Sequence, residues 1–344
     1  MRNLLVTGGA GFIGANFVHH ILATYPDYRV VVFDKLTYAG NLDNLKSVAG
    51  DPRYAFVQGD IADREVVREA IRRYDIDTVV NFAAETHVDR SILDPDAFVH
   101  TNVYGPHVLC SVVQELRLER LHHISTDEVY GPIPKGKFKE TDRFKPTSPY
   151  AASKAGGELI VLAYFQTYGL PVTVTRGVNT YGPYQYPEKA IPLFVTNAID
   201  DQPIPLYGDG TQVRDRLHAL DHARAVDVVL HRGKLGEAYN VAADMERTNI
   251  DVTRRILHLL DKPESLIQPV LDRPAHDVRY ALDAEKLGAL GWEPQVVFEQ
   301  GLEETVRWFQ QNEEWWRPLK SGEYLDYYRR QYTDRAQTLD EKAM

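Results

Sequence analysis

Residues 4–14 read LLVTGGAGFIG, and a second apolar run, Val30–Phe33, ends on Asp34. A short apolar run, glycines at 8, 11 and 14, and the helical spacing of residues 12–23 describe a strand that turns sharply into a helix. Glycine permits positive φ and lets a backbone approach a pyrophosphate closely. The N-terminus of the helix then offers free N–H groups and the positive end of a dipole to that anion. An acid ending the following strand stands where ribose hydroxyls are bound. These residues describe a dinucleotide-binding βαβ unit. Asp34 would repel a 2′-phosphate, which favours NAD over NADP, and Lys35 is the neighbour able to pair with such a phosphate. Asp60 and Ile61, after a third strand, are expected at the adenine.

Outward from this unit the alternation continues. Residues 4–7, 30–33, 54–57, 78–82 and 121–125 read as short buried strands. Helical spacing fills 12–23, 63–73 and 97–118, and a further helix follows Pro149 to about Tyr168. Alternating strands and helices predict an α/β fold, a Rossmann-like doubly wound parallel sheet. At 344 residues the chain is long enough for a smaller C-terminal α/β substrate-binding domain. The expected division is 1–180 with returning segments near 215–245, then 181–325, then a tail at 326–344. After Thr180, prolines 183, 187, 192, 203 and 205 predict loops and short elements around a ligand. The aromatic, charged stretch from Trp315 onward is expected to pack on the surface or form a short helix, without chemistry.

The formal net charge of -10, with no basic run, argues against nucleic acid as a partner. Cys110 is the single cysteine, so no intrachain disulfide can form. No stretch is apolar enough to span a bilayer, and no leader precedes Leu4, so the chain reads as cytoplasmic. No metal-ligating pattern is read.

Chemistry is carried by a second stretch. Tyr150 and Lys154 are one helical turn apart, so they share a face. A phenol titrates near 10, and a nearby ammonium can lower that value. The pair can therefore take a proton from a hydroxyl whose carbon is being oxidised. Thr126, Asp127 and Glu128 follow the fifth strand, at the end of the sheet where ligands bind. Two adjacent carboxyls can differ in pKa, one an acid and one a base. From Asp-Glu alone, an ordinary dipeptide, a solvated acidic loop or a helix start is the slightly favoured reading.

The chain resembles the dTDP-glucose 4,6-dehydratases of the extended short-chain dehydrogenase/reductase superfamily over nearly its whole length. The resemblance lies in TGGAGFIG at 7, DKLTYAGNLDNL at 34, NFAAETHVDRSI at 81 and STDEVYG at 125. It continues in SPYAASKA at 148, NTYGPYQYPEK at 179, GDGTQVRD at 208 and DRPAHDVRY at 272. The glycine turn and Tyr-x-x-x-Lys are shared by the superfamily; Thr-Asp-Glu and YGPYQYPEK are far more specific to 4,6-dehydratases. What the resemblance implies is a hydro-lyase with tightly held NAD. Tyr150 takes the sugar 4-hydroxyl proton, with Thr126 holding that oxygen and Lys154 tuning the tyrosine. Glu128 removes the C5 proton, Asp127 protonates the departing 6-hydroxyl, and hydride returns to C6.

By the same resemblance, cofactor contacts fall on Gly8, Gly11, Phe12, Ile13, Gly14, Asp34, Lys35, Thr37, Asp60, Ile61, Ala83, Ala84 and Thr101, besides Tyr150 and Lys154. Substrate contacts fall on Thr86, Thr126, Asn179, Glu188, Lys189, Arg214, Asn249, Arg273, His276 and Tyr280, with Arg214 and Arg273 suited to a diphosphate. The helices at 97–118 and 150–168 resemble the pair that forms a four-helix bundle across a homodimer. Against the family pattern, Gly177-Val178-Asn179-Thr180 replaces Cys-Ser-Asn-Asn. Arg216 stands for Trp, Leu220 for an acid, Ala275 for Gly, and Gly157-Glu158 for a Ser-Asp-like pair. The alternatives are a dehydratase for a UDP- or CDP-sugar, a nucleotide-sugar 4-epimerase, which needs no acid–base pair beyond the tyrosine, and a non-catalytic nucleotide sensor.

Overall fold

A computed structural model describes residues 1–272 and 277–334. Its centre is the expected parallel sheet. The strands are β1 (Asn3–Thr7), β2 (Arg29–Asp34), β3 (Tyr54–Gln58), β4 (Thr78–Asn81), β5 (Arg120–Thr126), β6 (Val172–Gly177) and β7 (Ala238–Val241). Their spatial order is β7-β6-β5-β4-β1-β2-β3, and every pairing is parallel. The chain runs outward from β1 to β3, then returns to β4 on the other side of β1. That reversal opens a crevice beyond the carboxyl ends of β1 and β4.

Side chains alternate between the two faces. Leu5, Val31, Val79 and Leu121 pack with helices Arg64–Arg73, Gly105–Leu116 and Pro149–Tyr168. Leu4, Val6, Val30, Val32 and Val80 pack with helices Phe12–Thr24 and Ala219–Arg232. Both faces are covered, which is why the strands read as unbroken apolar runs. Residues 219–241 thus rejoin the large sheet. A separate apolar cluster unites Ile191, Phe194, Leu206, Ile256, Phe298 and Phe309.

Local signals set the helix ends. Asp63 accepts the N–H groups of Glu65 and Val66 at 3.0 and 3.2 Å and starts the helix Arg64–Arg73. Ser148 accepts from Ala151 N–H at 3.1 Å, Pro149 occupies the first turn, and Gly169 at φ +70° ends that helix. The helix expected at 97–118 begins earlier, at Pro95 behind Asp94, and carries a wide turn over His100–Tyr104. Gly157 explains one departure from the family. A Cβ there would lie 2.0 Å from the Asn102 carbonyl, so only glycine allows this crossing. Glu158 is buried beside it, and its Oε1 accepts from Arg176 Nε and Nη2 at 2.8 and 2.6 Å.

Two expectations are corrected. The region after Thr180 is more regular than its prolines suggested. Pro192 lies in the first turn of helix Ala190–Ile199, where no N–H donor is needed, and Pro205 lies in a two-stranded pairing with Ile267–Val270. The segment from Trp315 forms short helices, as one alternative expected, in Glu313–Trp316 and Glu323–Tyr328, but it packs inward and not on the surface. Trp316 is 1% exposed, Tyr324 and Tyr327 are buried, and Tyr327 lies edge-on to His87 at 5.4 Å. No helix among the described residues is long and apolar enough to cross a membrane.

Candidate active site

A cleft of about 440 Å³ opens at the carboxyl ends of the strands, where the chain reverses. The glycine turn forms one wall. Gly8 sits at φ +68°, and a Cβ on it would meet the Ala83 backbone nitrogen at 2.5 Å. A Cβ on Gly14 would fall 2.3 Å from the Gly8 carbonyl. The turn therefore exists only with glycine at both positions, and it leaves the start of helix Phe12–Thr24 facing the cleft. This shape fits the pyrophosphate of a dinucleotide.

Asp34 holds the turn as well as facing the cleft. Its carboxylate accepts the N–H of Ala10 at 3.0 Å and of Leu36 at 2.9 Å. Burial raises its pKa, and those two N–H bonds oppose the rise. Lys35 is engaged elsewhere: Nζ pairs with Asp60 at 2.8 Å. Burial works against the charge on Asp60, but that hydrogen bond and ion pair, with the Ala62 N–H, bring its pKa below the ordinary value. The cation that could have met a 2′-phosphate thus has a partner, while Asp34 remains beside the expected ribose position. Phe12, Ile13, Gly11, Thr37, Ile61, Ala83, Ala84 and Thr101 also line the cleft. The residues present suit an NAD molecule.

The reactive end lies where β5 stops. Thr126 caps the short turn Asp127–Tyr130, its Oγ1 accepting from the Glu128 N–H at 3.3 Å and donating to Asp127 Oδ1 at 3.1 Å. This cap aims one acid inward and leaves the other nearer solvent: Asp127 is buried and Glu128 half-buried. Burial and the charge of Glu128 push the Asp127 carboxyl up to about 8. At neutral pH Asp127 therefore carries a proton, and the dipeptide is neither a solvated loop nor a matched pair. It can serve as an acid beside a base.

Tyr150 and Lys154 enter from the helix capped by Ser148, and both line the same cleft. Burial comes first, and the charge of Glu128 second, in raising the phenol above its usual value; a hydrogen bond with Thr126 opposes them. The expectation that Lys154 lowers it in the free chain is not met. Lys154 Nζ donates to the Ile124 carbonyl at 2.6 Å, and burial brings the ammonium down to about 8. Phe98 meets the Tyr150 ring edge-on, with centroids 6.3 Å apart.

The remaining wall gathers Thr86, Asn179, Glu188, Lys189, Arg214 and Asn249. Lys189 Nζ reaches the Thr86 carbonyl at 2.8 Å, and Glu188 is paired with Arg90 at 3.0 Å. Tyr280 is not in the wall. It is buried behind Arg214, whose guanidinium lies 4.8 Å from its ring, so it supports that arginine. Arg273 and His276 lie outside the described residues. The sequence reading missed Tyr186, Tyr207, His222 and Tyr332, all of which line the cleft, and Arg216, read only as a departure from the family pattern, lines it too. Tyr186 sits inside the YGPYQYPEK stretch and could have been found there. His222 is fixed through Nδ1 by Thr180 Oγ1 at 2.8 Å, which gives the unusual Thr180 a local role.

Comparison with known proteins agrees with this geometry. The family model described as GDP-mannose 4,6 dehydratase matches residues 5–305. A dTDP-glucose 4,6-dehydratase from Streptomyces niveus is 49% identical over 323 residues, covering 92% of this chain and 96% of the relative. A solved dTDP-glucose 4,6-dehydratase from Streptomyces venezuelae with NAD bound superimposes with a TM-score of 0.90 at 49% identity, covering 93% of this chain and all of that one. A Thermus thermophilus UDP-glucose 4-epimerase, also with NAD, is more distant, with a TM-score of 0.83 and 33% identity over 90% of this chain. The share of the chain covered and the acid pair beside Tyr150 lead to one assignment: the chain belongs to the dTDP-glucose 4,6-dehydratase family.

Proposed function

We propose that this chain is an NAD-dependent hydro-lyase that converts dTDP-glucose to dTDP-4-keto-6-deoxyglucose and water. The observation that carries the reading is a buried Asp127, its carboxyl pushed up by burial and by the charge of Glu128, beside a half-buried Glu128, in one cleft with Tyr150 and the glycine turn. The glycine turn, Asp34 and Lys154 would hold the cofactor, which when bound would supply reversible hydride transfer between sugar C4 and C6. Tyr150, once it has lost its own proton in the loaded cleft, takes the 4-hydroxyl proton as a phenolate, and Thr126 orients the hydroxyl. The 4-keto group then acidifies C5, so that a carboxylate suffices as base. Glu128 takes the C5 proton. Asp127 gives its proton to the departing 6-hydroxyl and water leaves; protonated Glu128 then returns a proton to C5 as C6 is reduced, which gives the 6-deoxy product. The division into a cofactor unit and a sugar-binding unit follows the same reading, with the sugar and nucleotide against residues 179–249. The single buried Cys110 and the nucleotide-sugar substrate support a cytoplasmic setting.

The test is direct. The chain is incubated with dTDP-, UDP- and CDP-glucose, and the products are read by mass. Loss of one water from dTDP-glucose is expected. An isomer of unchanged mass would overturn the reaction, and preferential turnover of another nucleotide sugar would overturn the substrate.

The acid role of Asp127 fixes a pH dependence. Its raised pKa means the active, protonated form dominates below about 8. kcat/KM is therefore expected to fall about tenfold per unit as pH rises beyond about 8. Asp127→Asn should be slow at every pH and lack that limb. A wild-type profile that stays flat well above 8 would remove Asp127 as the acid.

The helices Gly105–Leu116 and Pro149–Tyr168 support a homodimer through a four-helix bundle. Tyr104 and Leu159 are 49% and 56% exposed, and Val99 and Tyr168 are exposed as well. Ring contacts run from Tyr104 through His107 and Tyr164 to Tyr168 across both helices. Such a patch on two packed helices suits an isologous contact. Sedimentation is expected to give a dimer, and Leu159→Asp a monomer. A wild-type monomer at micromolar concentration would refute this.

A further inference from the structure

Arg216 is 6% exposed and lines the cleft. Its Nη2 donates to Asn249 Oδ1 at 2.7 Å, while its Nε is buried with no hydrogen-bond partner. No ion pair to it exists among the described residues. The adjacent acid is committed elsewhere: Asp215 accepts the N–H groups of Ala243, Asp244 and Met245 at 2.9, 3.1 and 2.8 Å. Burial, and then the charge of Arg214, bring the Arg216 guanidinium down to about 10. Two guanidinium groups in one cleft, the second buried with no ion pair among the described residues and favoured chiefly by the charge of Asp215, itself bound to three backbone N–H groups, are costly to hold together. An anion lying between them would offset that cost.

Position says which anion. On one side, Arg214 is near enough to Asp127 to act on its charge, so this side faces the reacting carbons. On the other, Asn249 leads into Ile250, which together with Leu206 crowds Gly210. Leu206, Pro205 and Tyr207 give the cleft an apolar end suited to a nucleobase. The two arginines therefore occupy the interval between sugar chemistry and base. In a nucleoside diphosphate sugar that interval is the diphosphate.

We propose that Arg216 is a second guanidinium for the substrate diphosphate, working beside Arg214 at a position where the resemblance leads one to expect tryptophan. The proposal rests on the nucleotide-sugar reading of this cleft. Arg suits the role better than Lys, because its planar fork can hold two phosphate oxygens at once. Arg216 acts on binding and not on the reacting carbons, so it distinguishes KM from kcat.

The experiment is calorimetric titration of the NAD-loaded protein and its Arg216→Met variant with dTDP and with thymidine. The dTDP Kd is expected to rise roughly ten- to a hundredfold in the variant, as for a lost charge-assisted hydrogen bond, with thymidine unchanged. KM for dTDP-glucose should rise in parallel, with kcat within about twofold. Equal losses for dTDP and thymidine, or none for either, would overturn the proposal. Arg216→Lys is the second variant. It should fold as wild type and bind dTDP between the other two, and wild-type affinity in it would remove the fork argument. Binding is read without turnover, so wild-type protein that binds dTDP but dehydrates nothing would sink the activity while leaving Arg216 tested.

Discussion

Glu128→Gln is expected to slow dehydration of dTDP-glucose by roughly 10²–10⁴-fold while leaving oxidation at C4 in place. The substitution keeps the shape of the side chain and the backbone N–H that Thr126 caps, so the turn Asp127–Tyr130 should persist. What it removes is the base for the C5 proton. Rapid acid quench should then trap a 4-keto sugar that has not lost water, and C5 should take up no deuterium from solvent. A second readout follows from electrostatics. The charge of Glu128 helps hold both Asp127 and Tyr150 above their ordinary values. Without it the Asp127 carboxyl ionises earlier, so residual activity should decline from a lower pH than in wild type. Unchanged dehydration in the variant would remove Glu128 from the mechanism.

Much of this site was legible before any coordinates, for physical reasons. The glycine turn is legible because backbone approach leaves no alternative residue at Gly8 or Gly14. The sheet is legible because strands covered on both faces must be apolar throughout. The cap Ser148 and the stop Gly169 bracket the helix that carries Tyr150 and Lys154. Less legible were features made by distant partners. The engagement of Lys35 by Asp60 depends on β2 and β3 ending side by side. The closing segment reaches His87 through Tyr327, a separation of 240 residues. Its signal was nevertheless present: Tyr324, Tyr327, Tyr328 and Tyr332 recur at helical spacing, which marks a face meant for burial. Pro192 and Pro205 misled because proline breaks an element only in its interior or on a fully paired strand. Arg216 stood out as a departure, but its direction required the cleft.

Tyr150→Phe should give the other large loss, again about 10²–10⁴-fold in kcat, and this time at the first step. The fold should survive, since Phe98 contacts the ring and not the hydroxyl, and the helix cap at Ser148 is untouched. No 4-keto sugar should accumulate on quench, which separates this variant from Glu128→Gln. The electrostatics sharpen the claim. Burial and the Glu128 charge hold the phenol in its neutral form in the free chain, while Lys154 is turned to the Ile124 carbonyl. Tyr150 is therefore no standing phenolate. It must lose its own proton in the loaded cleft before, as a phenolate, it can accept one from a hydroxyl presented beside Thr126. Ultraviolet titration of the free protein should accordingly show no tyrosinate at neutral pH attributable to Tyr150, judged against Tyr150→Phe. Lys154→Met should cost less than Tyr150→Phe at the first step if the lysine acts through the tyrosine. An equal loss in both would mean the lysine itself touches the reacting groups. C4 oxidation that proceeds normally in Tyr150→Phe would move the base elsewhere in the cleft.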